Sequence, residues 1–218
     1  MYGNETGRIF TNREDAGIQL GNELSAKFKN KNALVLGIPR GGVEVAYHVA
    51  RIINGELSIV IAKKLPYPGQ PELACGAVTE DESVYLSALG RRLPEPTIKA
   101  LIEDRIQEIK RRILEYRDGK PLPDMKNRTV IIVDDGIATG STIAPILQLC
   151  RKQQVAELIV AAPVSGNNYA DLIDELADEV IVLEVPSYYY AVGQVYYDFH
   201  QSTDEEVVSF LHKSPSTR

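Results

Sequence analysis

The sequence predicts an α/β fold, with a central, mainly parallel sheet and helices on both of its faces. Three observations carry that expectation. Short runs of apolar, mostly β-branched residues recur along the chain, as at Val130–Val133, and such continuous runs belong to strands buried on both faces. Helical patterns alternate with those runs, as in β-α crossovers. Two of the strands are followed by glycine- or hydroxyl-rich turns that open helices, and in a parallel sheet such turns share one edge.

Taken in order, Asn12 fits an N-cap, and Ala16, Leu20, Leu24 and Phe28 recur at helical spacing, predicting a helix over 13–29. Ala33 to Leu36 predicts a strand, Gly37 to Gly42 a turn, and Val43 to Ile53 a helix ending at Asn54-Gly55. Leu57 to Leu65 reads as the second core strand, ending in Lys63 and Lys64, which as strand neighbours must face opposite ways. Pro66, Pro68 and Pro71 exclude a central strand or a helix over 66–71, and Ser83 to Ser87 predicts a strand pairing back as a hairpin. Ile98, Leu101, Ile102, Ile106, Ile109 and Ile113 fall on one stripe, giving an amphipathic helix over about 97–117. Beyond the Val130–Val133 strand come a helix over 142–152, a strand at Leu158 to Ala162, a helix at Tyr169 to Leu176 and a last core strand at Val180 to Val185. Thr203 and Glu206 stand at capping-box spacing and open a closing helix, Thr203 to Leu211.

Composition narrows the function classes. A chain of 218 residues suits one domain with a core and small appendages. No apolar run reaches the roughly 20 residues of a membrane span, and Met1 to Arg8 has no apolar leader, so a cytoplasmic protein is expected. Cys75 and Cys150 match no metal spacing and are expected to be reduced thiols. The formal net charge of −6 disfavours a nucleic-acid partner. The acids interspersed around Arg111-Arg112 make that pair part of a solvated helix face.

The chemistry concentrates in Thr129 to Thr142, T-V-I-I-V-D-D-G-I-A-T-G-S-T. Asp134 and Asp135 stand where the strand ends, and small and hydroxyl residues lead into the next helix. Backbone N–H groups at a helix start suit an anion, with Thr139, Ser141 and Thr142 adding hydroxyl donors. The acidic pair would repel that anion; it suits neighbouring hydroxyls, or a metal held by them. A ligand with both a phosphate and a diol is a sugar phosphate. The second chemical stretch is G-I-P-R-G-G, Gly37 to Gly42, whose glycines admit close backbone approach and whose Arg40 offers a planar fork for phosphate.

The first stretch resembles the signature of the type I phosphoribosyltransferases: an apolar strand, two acidic residues, two variable positions, then Ala-Thr-Gly-x-Thr. G-I-P-R-G-G resembles that family's pyrophosphate loop, in which the peptide corresponding to Pro39–Arg40 is often cis. With E-L-A-C-G-A-V (Glu72 to Val78) and A-V-G-Q-V-Y-Y-D-F (Ala191 to Phe199), the chain looks most like the bacterial group whose acceptor is unassigned. The resemblance implies a single domain over 1–218, with a core sheet over about 33–185, a mobile loop at about 65–82, the helical insertion at 97–117 and a C-terminal hood at about 186–211. It implies transfer of 5-phosphoribosyl from 5-phosphoribosyl 1-diphosphate (PRPP) to a nucleobase-like acceptor, with release of pyrophosphate.

Carried over, Asp134 and Asp135 are the catalytic carboxylates on the ribose hydroxyls. Ala138, Thr139, Gly140, Ser141 and Thr142 hold the 5-phosphate, while Arg40, Gly41 and Gly42, with Lys63 as an added candidate, hold pyrophosphate. Magnesium (Mg²⁺) is the implied cofactor, held mainly through PRPP, with Asp134 and Asp135 as the candidate direct ligands. The family's 6-oxopurine members place a general-base Asp where this chain has Ala138, so an acceptor base has to come from elsewhere or is not needed. Five of the eleven tyrosines lie in Pro186 to His200, as ring surfaces for a planar acceptor or as packing at a homodimer interface. The alternative is a regulatory module that binds PRPP with little or no transfer. A metal-dependent phosphohydrolase or kinase is the third reading, although no G-x-x-x-x-G-K-[ST] stretch is present.

Overall fold

A computed structural model describes residues 9–169 and 171–213. Five strands form one parallel sheet: β1 (Leu34–Gly37), β2 (Glu56–Ile59), β6 (Thr129–Val133), β7 (Glu157–Val164) and β8 (Glu179–Glu184), in the order β2-β1-β6-β7-β8. The order reverses direction between β1 and β6, so the turns that leave these two strands lie side by side at one edge. Those are the two chemical stretches of the sequence.

The sheet is buried on both faces, as its apolar strands require. Val35, Ile131, Val133, Ile159 and Ala161 pack under α1 (Arg13–Phe28) and α2 (Gly41–Ile53). The alternate residues Leu34, Leu36, Ile132, Val160 and Ala162 pack under α4 (Ile143–Lys152) and Ile173 of α5 (Leu172–Leu176). The period-two alternation of a strand thus sorts one sequence run into two cores. The Asn12 side chain accepts from Asp15 N at 2.9 Å, the N-cap that its position predicted.

A second, antiparallel sheet runs β3 (Ala62–Tyr67), β4 (Gln70–Thr79), β5 (Val84–Leu86). It corrects the expected single strand at 57–65. The chain leaves the parallel sheet after Ile59, turns at Val60-Ile61 and enters the antiparallel one at Ala62. A buried polar anchor fixes that corner: Ile61 N donates to Glu80 Oε1 at 2.9 Å, while the other oxygen of Glu80 pairs with the buried Arg117. Its burial raises the Glu80 carboxyl, and the Arg117 charge opposes that rise. The stretch 65–82 is built as the β3–β4 hairpin and the turn after it; the pairing register shifts around Pro66, and Gly69 takes a positive φ of 77° at the hairpin turn.

The apolar stripe of α3 (Glu95–Arg117) faces this sheet, and Ile109 and Tyr116 share a third core with Ile59, Leu65, Val78 and Val207 of α6 (Asp204–Lys213). Thr203 and Glu206 make the reciprocal capping bonds expected of them, at 2.8 and 3.2 Å. Of the helix expected over 169–176, Leu172–Leu176 is helical, and Ala170 lies outside the described residues, as do Met1 to Arg8. Among the described residues no helix is long and apolar enough to cross a membrane.

Candidate active site

The two loops meet at the carboxyl edge of β1 and β6. Gly42 sits so close to the acidic pair that a Cβ there would lie 2.8 Å from both Asp134 Cα and Asp134 Oδ1. At Gly41 the added atom would overlap Asp135 Oδ2. Position 42 therefore requires glycine, for space rather than for backbone angle, and a side chain at position 41 would have to displace the Asp135 carboxylate. The Pro39–Arg40 peptide is cis.

Asp134 and Asp135 are half-buried, and Asp135 N donates to Asp134 Oδ1 at 2.9 Å. Desolvation, and after it the Asp135 charge alongside, raises the Asp134 carboxyl well above its usual range. Arg13 Nε donates to Asp135 Oδ2 at 2.8 Å and offsets one charge of the pair. Tyr196 OH donates to Asp135 O at 2.7 Å; burial and then the Asp135 charge push the Tyr196 phenol upward.

Beyond Asp135 the chain first extends the sheet, with Ile137 N donating to Val164 O at 2.8 Å and Gly166 N donating to Ile137 O at 3.1 Å. It then leaves the sheet through Ala138 and Thr139, which are exposed, and turns at Gly140, whose φ of 69° suits glycine. Thr139 Oγ1 lies 3.0 Å from Ser141 Oγ, so the two hydroxyls converge. A cleft of about 140 Å³ opens here, lined by Lys64, Asp134 and residues 136–143. A helix start, paired hydroxyls, a lysine and no carboxylate besides Asp134 at its wall make this cleft suited to a small anion.

The remaining predicted residues divide. Gly41 and Gly42 stand beside the acidic pair, whereas the Arg40 side chain reaches α6, with Nη1 3.9 Å from Asp204 Oδ1. Asp204 also accepts from Tyr116 OH. Lys63 departs from the site: its ammonium lies 2.5 Å from Glu108 of α3, in a cluster where Arg105 also pairs with Glu108 at 2.9 Å. Burial lowers the Lys63 ammonium and the Glu108 bond works against that shift. The pleat that sends Lys63 to α3 turns Lys64 to the cleft. Among the described residues no three His, Cys, Asp or Glu side chains gather as a metal cage. Two hard carboxylates side by side fit Mg²⁺ whose coordination is completed by ligand oxygens.

Arg13 was not among the residues predicted for the site. Its signal lay in α1, where it shares the stripe of Ala16, Leu20 and Leu24: an arginine on an apolar face, in a first turn that favours acids. The C-terminal segment reaches the site by a similarly unforeseen route. Phe10 N donates to Val195 O at 2.7 Å, and Tyr197 N and Asp198 N donate to Phe10 O and Thr11 O, each at 2.9 Å. These bonds tie residues 195–198 to the chain just before α1. Tyr188, Tyr190 and Tyr197 stay exposed, whereas Tyr196 is buried against Phe10.

Residues 6–200 match the phosphoribosyl transferase domain. A Mycobacterium tuberculosis protein carrying the provisional name of a phosphoribosyl transferase is 37% identical over 210 residues, which is 95% of this chain and 47% of that protein. The chain thus spans about half the length of the curated relatives it matches. Among solved structures, the TT1426 protein of Thermus thermophilus is 33% identical, with a TM-score of 0.81, covering 94% of this chain and 99% of that one. The AQ2163 protein of Aquifex aeolicus, at 14% identity and a TM-score of 0.51 over 79% of this chain and 74% of its own, shares the fold alone. A parallel sheet whose order reverses beside an acidic pair, with this match over most of its length, defines the class: the chain belongs to the phosphoribosyl transferase family.

Proposed function

We propose that the protein is a magnesium-dependent phosphoribosyltransferase that moves 5-phosphoribosyl from PRPP to a nucleobase-like acceptor and releases pyrophosphate. The observation that carries this reading is the contact of Gly41 and Gly42 with Asp135 and Asp134 beside the anion-suited cleft at 136–143. A phosphate, a ribose and a pyrophosphate can lie in that order across the three.

In this reading the turn Ala138 to Thr142 receives the 5-phosphate, with Lys64 adding a cation at the cleft wall. Asp134 and Asp135 accept hydrogen bonds from the ribose 2- and 3-hydroxyls. Arg40 and the backbone of Gly41 and Gly42 receive pyrophosphate. The bond from the anomeric carbon to the pyrophosphate oxygen breaks, its electron pair leaving with pyrophosphate, and a lone pair on the acceptor forms the new bond. The positive charge that develops on the ribose between these steps lies near the carboxylates, which stabilise it electrostatically. Bound magnesium supplies charge neutralisation for the departing pyrophosphate. Ala138 carries no proton acceptor, so the acceptor reacts through a nitrogen already free of its proton or delivers that proton elsewhere.

Calorimetric titration with PRPP, with and without Mg²⁺, tests the site. Binding should depend on Mg²⁺ and weaken at least about 100-fold in the Asp134→Asn/Asp135→Asn double variant, the scale of two charge-assisted hydrogen bonds at about 1.5 kcal/mol each. No binding by a folded wild type would sink the reading. Binding with no pyrophosphate released for any nucleobase would turn it toward the PRPP sensor.

A further inference from the structure

Arg13 is only 5% exposed, and burying a guanidinium is costly unless its donors are satisfied. Here the partners come from two segments. Nε donates to Asp135 Oδ2 at 2.8 Å, and Nη1 donates to the backbone oxygen of His200 at 2.7 Å. The guanidinium carbon stands 4.0 Å from the centre of the Phe199 ring, which stacks on Tyr196 with centroids 4.9 Å apart. Tyr196 closes the circuit through its hydroxyl on Asp135 O. The pyrophosphate loop forms the remaining wall, since a Cβ on Gly41 would fall 2.7 Å from Arg13 Nε.

A latch that merely held the tail to the core would need the His200 and Phe199 contacts alone. Arg13 spends its Nε on a carboxylate that the site needs, and the planar fork fixes the angle between that bond and the tail. The tail is itself clamped to Phe10 and Thr11, three and two residues before Arg13, so the guanidinium is held from both ends. An aspartate free to rotate would have to be ordered by the ligand, at a cost in affinity. We propose that Arg13 is a positioning residue, which holds the Asp135 carboxylate ready for the ribose hydroxyls and is itself held by the Phe199–His200 segment. This inference rests on reading the acidic pair as the ribose site.

The experiment compares wild type, R13Q, R13K and F199L by calorimetry with three probes: PRPP with Mg²⁺, ribose 5-phosphate and inorganic phosphate. R13Q should lose about 10- to 100-fold in affinity for PRPP and ribose 5-phosphate, the range for removing a charge-assisted bond, while inorganic phosphate still binds the 136–143 turn as in wild type. R13K should recover only part of the loss, because an ammonium lacks the fork that spans Asp135 and His200. F199L leaves the ion pair in place and should fall between wild type and R13Q. Unchanged ribose 5-phosphate affinity in R13Q, or a parallel loss of inorganic phosphate, would overturn the positioning role. If R13Q does not fold, F199L decides, and wild-type affinity for ribose 5-phosphate in that variant overturns it. A wild type that binds inorganic phosphate but not PRPP overturns the ribose site itself, and this role with it.

Discussion

The turn after β1 and the turn after β6 begin alike and end differently. Each follows a short buried strand, lies at the same sheet edge and opens a helix. The first is closed: Gly41 and Gly42 press against the acidic pair, and neither has room for a methyl group. The second is open: Ala138 and Thr139 are exposed, and the cleft lies along it. One turn sets where the carboxylates stand, and the other borders an open cleft. The same local pattern is therefore packed tight in one place and left open in the other. Steric fit and exposure make the difference.

Paired substitutions test that contrast most strongly. Gly42→Val should cost about 3 kcal/mol, because the nearest obstacle is the backbone of Asp134 and cannot swing aside. Thr139→Ala on the open turn should change stability by less than about 0.5 kcal/mol and still weaken PRPP binding roughly tenfold through a lost hydroxyl donor. Urea denaturation with calorimetry reads both. Equal stability losses in the two variants would erase the distinction between closed and open turns.

A smaller effect separates the adjacent lysines. Lys64→Gln should weaken inorganic phosphate binding about tenfold at low salt, the scale of one charge-assisted contact. Lys63→Gln should leave that affinity alone, since its partner is Glu108 on α3. The reverse order of effects would return Lys63 to the site.

The third effect sharpens the closed side through pH. Desolvation raises the Asp134 carboxyl above its ordinary value of 3.8, so the folded state holds this proton more tightly than the unfolded one. The resulting stability is fully present below the ordinary value and is lost as pH rises through the raised one. Wild type should therefore lose stability relative to Asp134→Asn on going from acid toward neutral pH, followed by urea denaturation at each pH. A constant difference across that range would mean that the carboxylate stands in water, and the turn would not be closed.

Much of this was legible in the residues. Continuous apolar runs, alternating with helical patterns, gave the parallel sheet, because burial on both faces leaves no polar position to interrupt a strand. Asn12, Thr203 and Glu206 revealed helix starts, since capping is decided within four residues. The strand at 57–65 misled because Ile59, Val60 and Ile61 are apolar in either sheet, and the corner between the sheets is held by Glu80 from elsewhere in the chain. Arg13 could be seen as an oddity on an apolar stripe, but its partner Asp135 lies 122 residues away.

The sequence by itself determined the sheet class, the two strand-to-helix turns and the chemical types that meet there, because each depends on neighbours within a turn or a strand. Tertiary structure alone decided which of Lys63 and Lys64 reaches the cleft, why residue 42 must be glycine, and that an N-terminal arginine and a C-terminal tyrosine converge on Asp135, one at its carboxylate and the other at its backbone oxygen. Those outcomes depend on packing between segments far apart in the chain. No local pattern encodes a distance across the fold.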